Sequence, residues 1–122
     1  MKLCISSYGN DLESNVDPRF GRSRVFLFVD SETMEYEAVE NPGMTAGGGA
    51  GTQAAQLVAN NGAEAVLTGN VGPNADNALN AAGIKVYIGL TGTCRDAIDK
   101  YKKGQLQSVN GPSVSRHAGI RN

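Results

Sequence analysis

Residues 64–104 read EAVLTGNVGPNADNALNAAGIKVYIGLTGTCRDAIDKYKKG, and this stretch decides the fold class. Two short apolar segments, at 64–69 and 84–90, have the length and composition of buried strands. Each is followed by a loop that contains glycine and then by a segment with helical spacing of apolar residues, at 75–83 and 94–104. Alternation of strands and helices predicts right-handed crossovers between parallel strands, which is an α/β fold.

The chain before this stretch adds three strands and a helix. The segment KLCISS at 2–7 predicts a first strand, and VFLFVD at 25–30 with MEYEAVEN at 34–41 predicts a hairpin. A helix is predicted over AGTQAAQLVANNG at 50–62, which ends at an Asn-Gly pair. The loop at 8–24 is long for a small domain, and loops of this length often have a function.

The loops that precede the helices are expected at one edge of the sheet. If the opening hairpins leave the first and third strands parallel to the later ones, loops 42–51, 69–74 and 89–93 all lie at the carboxyl edge. The end of the first strand, Ser6 to Gly9, would join them. Ligands of open α/β sheets bind at that edge, so we expect the functional site there.

Composition excludes several classes of partner. The chain has 122 residues, enough for one domain, and 11 Lys and Arg against 12 Asp and Glu. This balance gives no net positive field to gather nucleic acid or an anionic membrane surface. The opening residues MKLCISS contain no long apolar stretch, so we expect a cytoplasmic protein with no membrane partner. The residues after 107 have little apolar content, and we expect a mobile tail over 108–122.

The glycine-rich stretch GMTAGGGAGTQAA at 43–55 does not predict a nucleotide site. A P-loop requires a Lys and a Ser or Thr directly after its last glycine, but Thr52 and Gln53 follow Gly51. The looser dinucleotide pattern is met, but the strand that follows ends in Thr68-Gly69-Asn70, with no carboxylate for a ribose. We therefore expect no nucleotide cofactor.

Glycines at a helix start can still bind an anion, because they expose backbone N–H groups at the positive end of the helix dipole. The alternative is that these glycines only permit the turn and close packing of the helix. Three such loops at one edge favour a binding site, and the stretches concerned are Gly47 to Gly51, Gly72 to Asn74 and the loop that ends at Thr93.

Cysteine and histidine offer few soft ligands. Thr93 with Asp96 matches a capping box, which places Cys94 in the first helical turn, where a thiol pKa is lowered. Cys94 is then a candidate metal ligand or nucleophile, or else a small residue that fills a gap. Cys4, inside a strand, is expected in the core. The single histidine, His117, is in the tail, where it is a surface residue or a ligand brought over the site. No catalytic triad can be assembled around it, so we expect no enzyme, although a thiol-dependent activity at Cys94 stays open.

Four motifs together are similar to those of a known family. They are DPRFGRS at 17–23, ENPG at 40–43, GGGAG at 47–51 and GPNA at 72–75. In their order and spacing the chain resembles, over residues 1–107, the dinitrogenase iron-molybdenum cofactor biosynthesis family, also called nitrogenase accessory factors. The resemblance implies a single domain with a ribonuclease H-like, three-layer α/β/α fold. It also implies a five-stranded mixed sheet of order 3-2-1-4-5 in which only strand 2 is antiparallel.

The family also implies a function. Its members hold iron-sulfur and iron-molybdenum cluster precursors during cofactor assembly, and a relative binds a molybdenum-copper sulfide cluster. Relatives that build clusters have a radical-SAM half with three closely spaced cysteines, whereas this chain has only Cys4 and Cys94. The nuclease relatives of the fold have an acidic residue on the first strand, where this chain has Cys4 to Ser7. The resemblance therefore implies a protein that handles a cluster, receives it from a donor protein and passes it to a recipient.

Applied to this sequence, the resemblance gives the glycine loops an anionic metal-sulfur cluster to bind. The backbone N–H groups of Gly47, Gly48, Gly49, Gly51, Gly72 and Asn74, with Thr93, Arg19 and Arg22, would hold it by charge and hydrogen bonds. Cys94 or His117 would add a direct bond to metal. The alternative function is a regulatory or interaction protein that binds a small molecule or nucleotide and no metal.

Overall fold

The strands and helices form in the order that the alternation predicts. The computed structural model describes residues 1–45, 49–106 and 108–109. Its strands are β1 (Lys2–Ser7), β2 (Val25–Asp30), β3 (Tyr36–Glu40), β4 (Ala65–Leu67), β5 (Lys85–Tyr87) and β6 (Ser108–Val109). Its helices are α1 (Ala50–Asn60), α2 (Pro73–Ala81) and α3 (Cys94–Lys102), and short 3-10 turns lie at Phe20–Arg22 and Pro42–Thr45.

The sheet confirms the five-stranded order 3-2-1-4-5 and adds one short strand. Strand β2 pairs antiparallel with both β1 and β3, so β3 is parallel to β1. Strands β4 and β5 continue the sheet in parallel with β1. Beyond them, β6 pairs antiparallel with β5, so the described sheet has the order β3-β2-β1-β4-β5-β6. Residues 110–122 of the predicted tail lie outside the described residues.

The hairpin is shorter than the sequence predicts. A strand was expected from residue 34, but β3 begins at Tyr36 because Met34 has a left-handed φ of 64° within the turn. The Asp30 carboxylate accepts hydrogen bonds from the backbone N–H groups of Glu32 and Thr33, which lengthens the turn. These bonds lower the pKa of Asp30.

Alternation along β1 places its side chains in two cores. Leu3 and Ile5 pack with α3, whereas Cys4 packs with α1 and α2 on the opposite face, so the three layers are confirmed. Cys4 is fully buried, as expected of a core residue. Each fully buried aliphatic side chain, such as Leu3 or Ile5, contributes about 1.5–3 kcal/mol to folding. Helices on both faces of this mixed sheet leave its edges to the loops, and the carboxyl edge is where the loops are longest.

Candidate functional site

The predicted convergence at the carboxyl edge is present. Because β1, β3, β4 and β5 run in one direction, their carboxyl ends and the loops that follow lie at the same edge of the sheet. Helices α1, α2 and α3 begin at this edge. The structure therefore brings together the first loop, the described residues 42–45, 49–51 and 69–74, and the helix starts.

The long loop at 8–24 is fastened across the edge by buried hydroxyl and backbone groups. The Ser6 hydroxyl donates to the Asp17 carbonyl at 2.6 Å and lies 2.7 Å from the Thr68 hydroxyl. The Asn70 N–H donates to the Pro18 carbonyl at 2.8 Å. A Cβ at Gly69 would lie 2.6 Å from the Pro18 Cα, so only glycine allows this approach. These contacts fix the backbone on either side of Arg19.

Arg19 is held by a buried carboxylate. Its Nε donates to Asp17 Oδ1 at 3.1 Å, and its Nη2 donates to Asp17 Oδ2 at 3.2 Å. The Asp17 side chain is 0% exposed and that of Arg19 is 61% exposed. The hydrogen bond and charge of Asp17 raise the pKa of Arg19. Arg19 thus faces solvent with its charge largely compensated, so it contributes a hydrogen-bond donor to the edge more than a positive field.

Asn41 connects residues 19–24, which contain three arginines and are called here the arginine segment, to the glycine loop at 42–51. Its buried side-chain amide donates to the carbonyls of Gly21 at 3.1 Å and Ser23 at 2.9 Å. Its side-chain oxygen accepts from the Gly43 N–H at 2.9 Å. The ENPG motif therefore has a structural role, because one buried amide holds two loops of the site in register.

The starts of α1 and α2 contact each other and the arginine segment. A Cβ at Gly51 would lie 3.2 Å from the Ala75 Cβ, and a Cβ at Gly21 would lie 3.1 Å from the Gly51 backbone. The N-cap residues are Gly49, with a φ of 74°, and Gly72, and neither helix start has a side-chain cap. Within the described ranges, no protein group accepts from the backbone N–H groups of Asn74 or Ala75. Two positive helix ends without side-chain caps thus meet next to Gly21, and the neighbouring Arg22 is exposed.

The start of α3 is different, because the first loop closes it. The N–H groups of Cys94 and Arg95 donate to the carbonyls of Ser14 and Leu12, both at 2.9 Å. The Thr93 hydroxyl accepts from the Asp96 N–H at 3.1 Å, as the capping box predicts. Protein oxygens therefore already accept from the first N–H groups of α3, which were expected to face an anion.

Cys94 lies in the first turn of α3 as predicted, but the expected lowering of its thiol pKa is wrong. Its side chain is fully buried, and this burial raises the pKa of the thiol, while a hydrogen bond with Ser7 acts in the opposite direction. Desolvation thus outweighs the helix end, which was expected to lower the pKa. The sulfur does not reach the surface of the edge.

Some predicted residues lie outside the described residues. They are Gly47, Gly48 and His117. Within the described parts of the chain, no three His, Cys, Asp or Glu side chains come together that could hold a metal ion. The described helices also include none that is long and apolar enough to cross a membrane.

Sequence reasoning missed two residues of the site and placed a third, Tyr8, at the edge without giving it a role. Asp17 and Asn41 are buried polar residues that position the loops, and their only signal was membership of the DPRFGRS and ENPG motifs. Tyr8 is 50% exposed at the end of β1 and lies close enough to Arg19 to affect the pKa of its guanidinium. An aromatic ring therefore borders the arginine side of the edge.

Comparison with known proteins agrees with this architecture. The chain is similar to the apo form of the orange protein from Desulfovibrio gigas, with a TM-score of 0.90 and 44% identity over 92% of this chain and 95% of that one. It is also similar to a putative NifB protein from Thermotoga, with a TM-score of 0.81 and 36% identity over 94% and 98% of the two chains. An uncharacterized protein of Methanocaldococcus jannaschii is 33% identical over 110 residues, which are 88% of this chain and 90% of that protein.

The family profile described as dinitrogenase iron-molybdenum cofactor matches residues 1–104. This range contains all four motifs, both uncapped helix starts and the arginine segment. The chain therefore belongs to the dinitrogenase iron-molybdenum cofactor family.

Proposed function

We propose that this protein binds an anionic metal-sulfur cluster as cargo at the carboxyl edge of its sheet and carries it between a donor and a recipient protein in cofactor biosynthesis. The observation that supports this most directly is the meeting of the α1 and α2 starts at Gly51 and Ala75, beside the arginine segment. Backbone N–H groups and positive helix ends favour an anion without selecting a particular phosphate geometry.

The cargo is held by charge and hydrogen bonds rather than by coordination. Sulfide accepts hydrogen bonds from backbone N–H groups, and Asn74 and Ala75 offer two of them. Arg22 supplies charge, and Arg19 supplies a donor that Asp17 holds in place. Cys94 is buried, so a direct bond to metal would first require the start of α3 to open. A site without a metal-sulfur bond to the protein releases its cargo intact, which suits a carrier and requires no catalytic step.

The relatives support the same reading. One of them, 44% identical, is named the orange protein, and its structure is that of an apo form. A protein that is named for its colour and has an apo form is consistent with a metal-sulfur cluster that is held reversibly. The match to a cofactor family over 1–104 adds cofactor biosynthesis as the setting.

The test is an anaerobic titration of the apo-protein. Molybdenum-sulfide anions with and without copper(I), and separately an iron-sulfide cluster, are added, and gel filtration removes what is not bound. We expect visible absorption and metal to elute with the protein for at least one cluster type. Elution of colourless, metal-free protein in every case would contradict the proposal.

Single substitutions then locate the site. Arg22→Ala is expected to weaken cluster binding by roughly 10- to 160-fold, because a charge-assisted hydrogen bond contributes roughly 1.5–3 kcal/mol. Lys100→Ala, which removes an equal charge from α3 away from the edge, is the control and should bind as the unchanged protein does. Affinity should fall with added salt, as expected for an anion held by exposed charges.

Cys94→Ala distinguishes charge from coordination. If the cluster is held as proposed, this variant retains it with an unchanged absorption spectrum. Loss of the absorption in a variant that is still folded would show that the thiol binds metal.

A further inference from the structure

A cavity opens at the amino edge of the sheet, opposite the carboxyl edge. Its volume is about 680 Å³, within the roughly 300–1,000 Å³ of sites that bind small molecules. Because β2 runs antiparallel to β1, the turn that follows β2 lies at this edge, and α3 ends there as well. The turn, the end of α3 and the last residue of β5 line the cavity, which we call the amino-edge cavity.

Two tyrosine rings give the amino-edge cavity an aromatic wall. The rings of Tyr87 on β5 and Tyr101 on α3 have centroids 5.4 Å apart and an interplanar angle of 78°, and both side chains are half-buried. Leu106 packs in the same cluster and also lines the cavity. Edge-to-face contact is a preferred arrangement of aromatic pairs, so the two rings form a defined surface against which a ligand ring can pack.

Ser31 brings a buried polar group to the amino-edge cavity. The residue is 8% exposed, and its backbone N–H donates to the Met1 carbonyl at 2.9 Å, which fixes its position. Within residues 1–45, 49–106 and 108–109, no group forms a hydrogen bond with the Ser31 hydroxyl. Buried hydroxyls are nearly always hydrogen-bonded, and Ser31 lines the cavity. A ligand in the cavity would supply the missing partner.

Two opposite charges also line the amino-edge cavity. Glu32 follows Ser31 in the turn, and its backbone N–H donates to the Asp30 carboxylate at 2.8 Å, which orders the turn. Lys102 is the last residue of α3. Among the described residues, neither Glu32 nor Lys102 has an ion-pair partner. A carboxylate and an ammonium from two different elements are therefore both available to a ligand.

We propose that the amino-edge cavity binds a zwitterionic small molecule of the class of aromatic amino acids. The Glu32 carboxylate and the Ser31 hydroxyl accept hydrogen bonds from the ammonium of the ligand, and Lys102 pairs with its carboxylate. The tyrosine rings pack against its aromatic body. A ligand of a single charge would leave either Glu32 or Lys102 without a partner, so the lining favours a molecule with both charges.

Three probes that share a phenyl ring test the proposal on the full-length apo-protein. They are L-phenylalanine, phenethylamine, which lacks the carboxylate, and hydrocinnamate, which lacks the ammonium. In titrations followed by amide NMR, we expect saturable shifts at Ser31, Glu32 and Gly104, which line the cavity. L-Phenylalanine should bind about two- to fivefold more tightly than either other probe, as expected for one additional exposed ion pair. Absence of saturable shifts at these amides, or equal binding of all three probes, would overturn the proposal.

Single substitutions assign the two charges. Glu32→Gln should weaken the binding of L-phenylalanine and phenethylamine by about two- to fivefold and leave that of hydrocinnamate unchanged. Lys102→Gln should weaken the binding of L-phenylalanine and hydrocinnamate and leave that of phenethylamine unchanged. Glu35→Gln and Lys100→Gln remove equal charges from exposed positions outside the lining, so these controls should bind as the unchanged protein does. Equal effects of a variant and its control would contradict the proposal.

Ser31→Ala separates a ligand contact from a change in the shape of the cavity. Loss of the hydroxyl should weaken the binding of L-phenylalanine and phenethylamine by about two- to tenfold, because it bonds to the ammonium, and leave that of hydrocinnamate unchanged. A variant that loses all three probes equally, or none of them, would overturn the proposed contact. The titrations use apo-protein and a cavity at the opposite edge of the sheet, so their outcome is independent of whether the carboxyl edge binds a cluster.

Discussion

Asp17 is the residue on which the geometry of the arginine segment depends most. Its carboxylate is fully buried and accepts from the Arg19 backbone N–H at 3.0 Å as well as from the guanidinium. Asp17→Asn removes the charge and part of this bonding, and a hydrogen bond to a charged group contributes about 1.5–3 kcal/mol. We expect the free energy of unfolding, measured by urea denaturation, to fall by about this amount.

The matched control for Asp17→Asn is Asp99→Asn. Asp99 pairs with Lys103 at 3.5 Å, but both side chains are more than 60% exposed. Exposed pairs of this kind contribute roughly 0–1 kcal/mol, so the control should change stability little. Equal effects of the two substitutions would show that burial of Asp17 does not matter.

Single residues also show where sequence reasoning ends. The position of Cys94 in the first turn of α3 followed from the local Thr93–Asp96 pattern, and this was correct. The direction of its pKa shift was wrong, because burial depends on how the first loop packs over α3, which no local pattern encodes. Asp17 entered the sequence analysis only as part of the DPRFGRS motif, and its partner Arg19 is two residues away on a loop whose path is set by Pro18 and Gly69.

Among the elements, the positions of the three helix starts were predicted correctly. Which of them leave their N–H groups open to a ligand was predicted only in part. All three lie at the carboxyl edge, but the loop at 8–24 closes α3 while leaving α1 and α2 uncapped by side chains. The sequence could show that the loop was long, but not which helix it would contact. That choice depends on tertiary contacts such as the Val16 N–H donating to the Gly92 carbonyl at 2.9 Å.

Thr93→Ala tests whether the start of α3 serves only to stabilise the fold and does not contact the cargo. Loss of the hydroxyl that accepts from the Asp96 N–H should lower the free energy of unfolding by about 1 kcal/mol. Cluster binding in the anaerobic titration should stay unchanged, because the first loop and not the cargo satisfies this helix end. A variant of normal stability with weakened cluster binding would instead place the α3 start in the site.

Gly69→Ala tests the close approach of the first loop to the end of β4. The added Cβ would lie 2.6 Å from both the Cα and the Cβ of Pro18 and 3.0 Å from its carbonyl oxygen, so the backbone must move. Strain of this type costs about 1–3 kcal/mol, which thermal unfolding should detect as a lower Tm.

Gly72→Ser is the comparison for Gly69→Ala. A Cβ at Gly72 meets nothing within 4 Å, and its φ of −82° suits any residue. Serine is a preferred N-cap, so this variant should be as stable as the unchanged protein or slightly more stable. A Gly69→Ala protein as stable as Gly72→Ser would mean that the loop and β4 are further apart than described.

For the whole molecule, alternating strands and helices predicted the parallel half of the sheet, because crossover connections leave few topologies. The full strand order came from the family resemblance, since nothing in residues 2–41 alone shows that β2 lies between β1 and β3. Strand β6 was not predicted. It has only two residues, which is too short for a pattern of alternating apolar residues, and it forms by pairing with β5.

The stability of the whole molecule should decrease in alkaline solution because its two thiols are buried. Burial raises the pKa of Cys4 and of Cys94, so the folded state keeps their protons at a pH where the unfolded chain releases them. The stability from this source is complete below the unfolded thiol value of about 8.5 and is lost as pH rises through the folded values. Tyr101, whose pKa burial also raises, adds a loss at higher pH.

Urea denaturation at about pH 7 and about pH 10 measures this dependence. The drop in the free energy of unfolding between the two conditions should be smaller for the double variant Cys4→Ala, Cys94→Ala than for the unchanged protein. The comparison uses the difference between conditions, so any loss of packing from the substitutions cancels. An equal drop in both proteins would show that the thiols do not titrate between the folded and unfolded states, and the burial described for Cys94 would then have to be wrong.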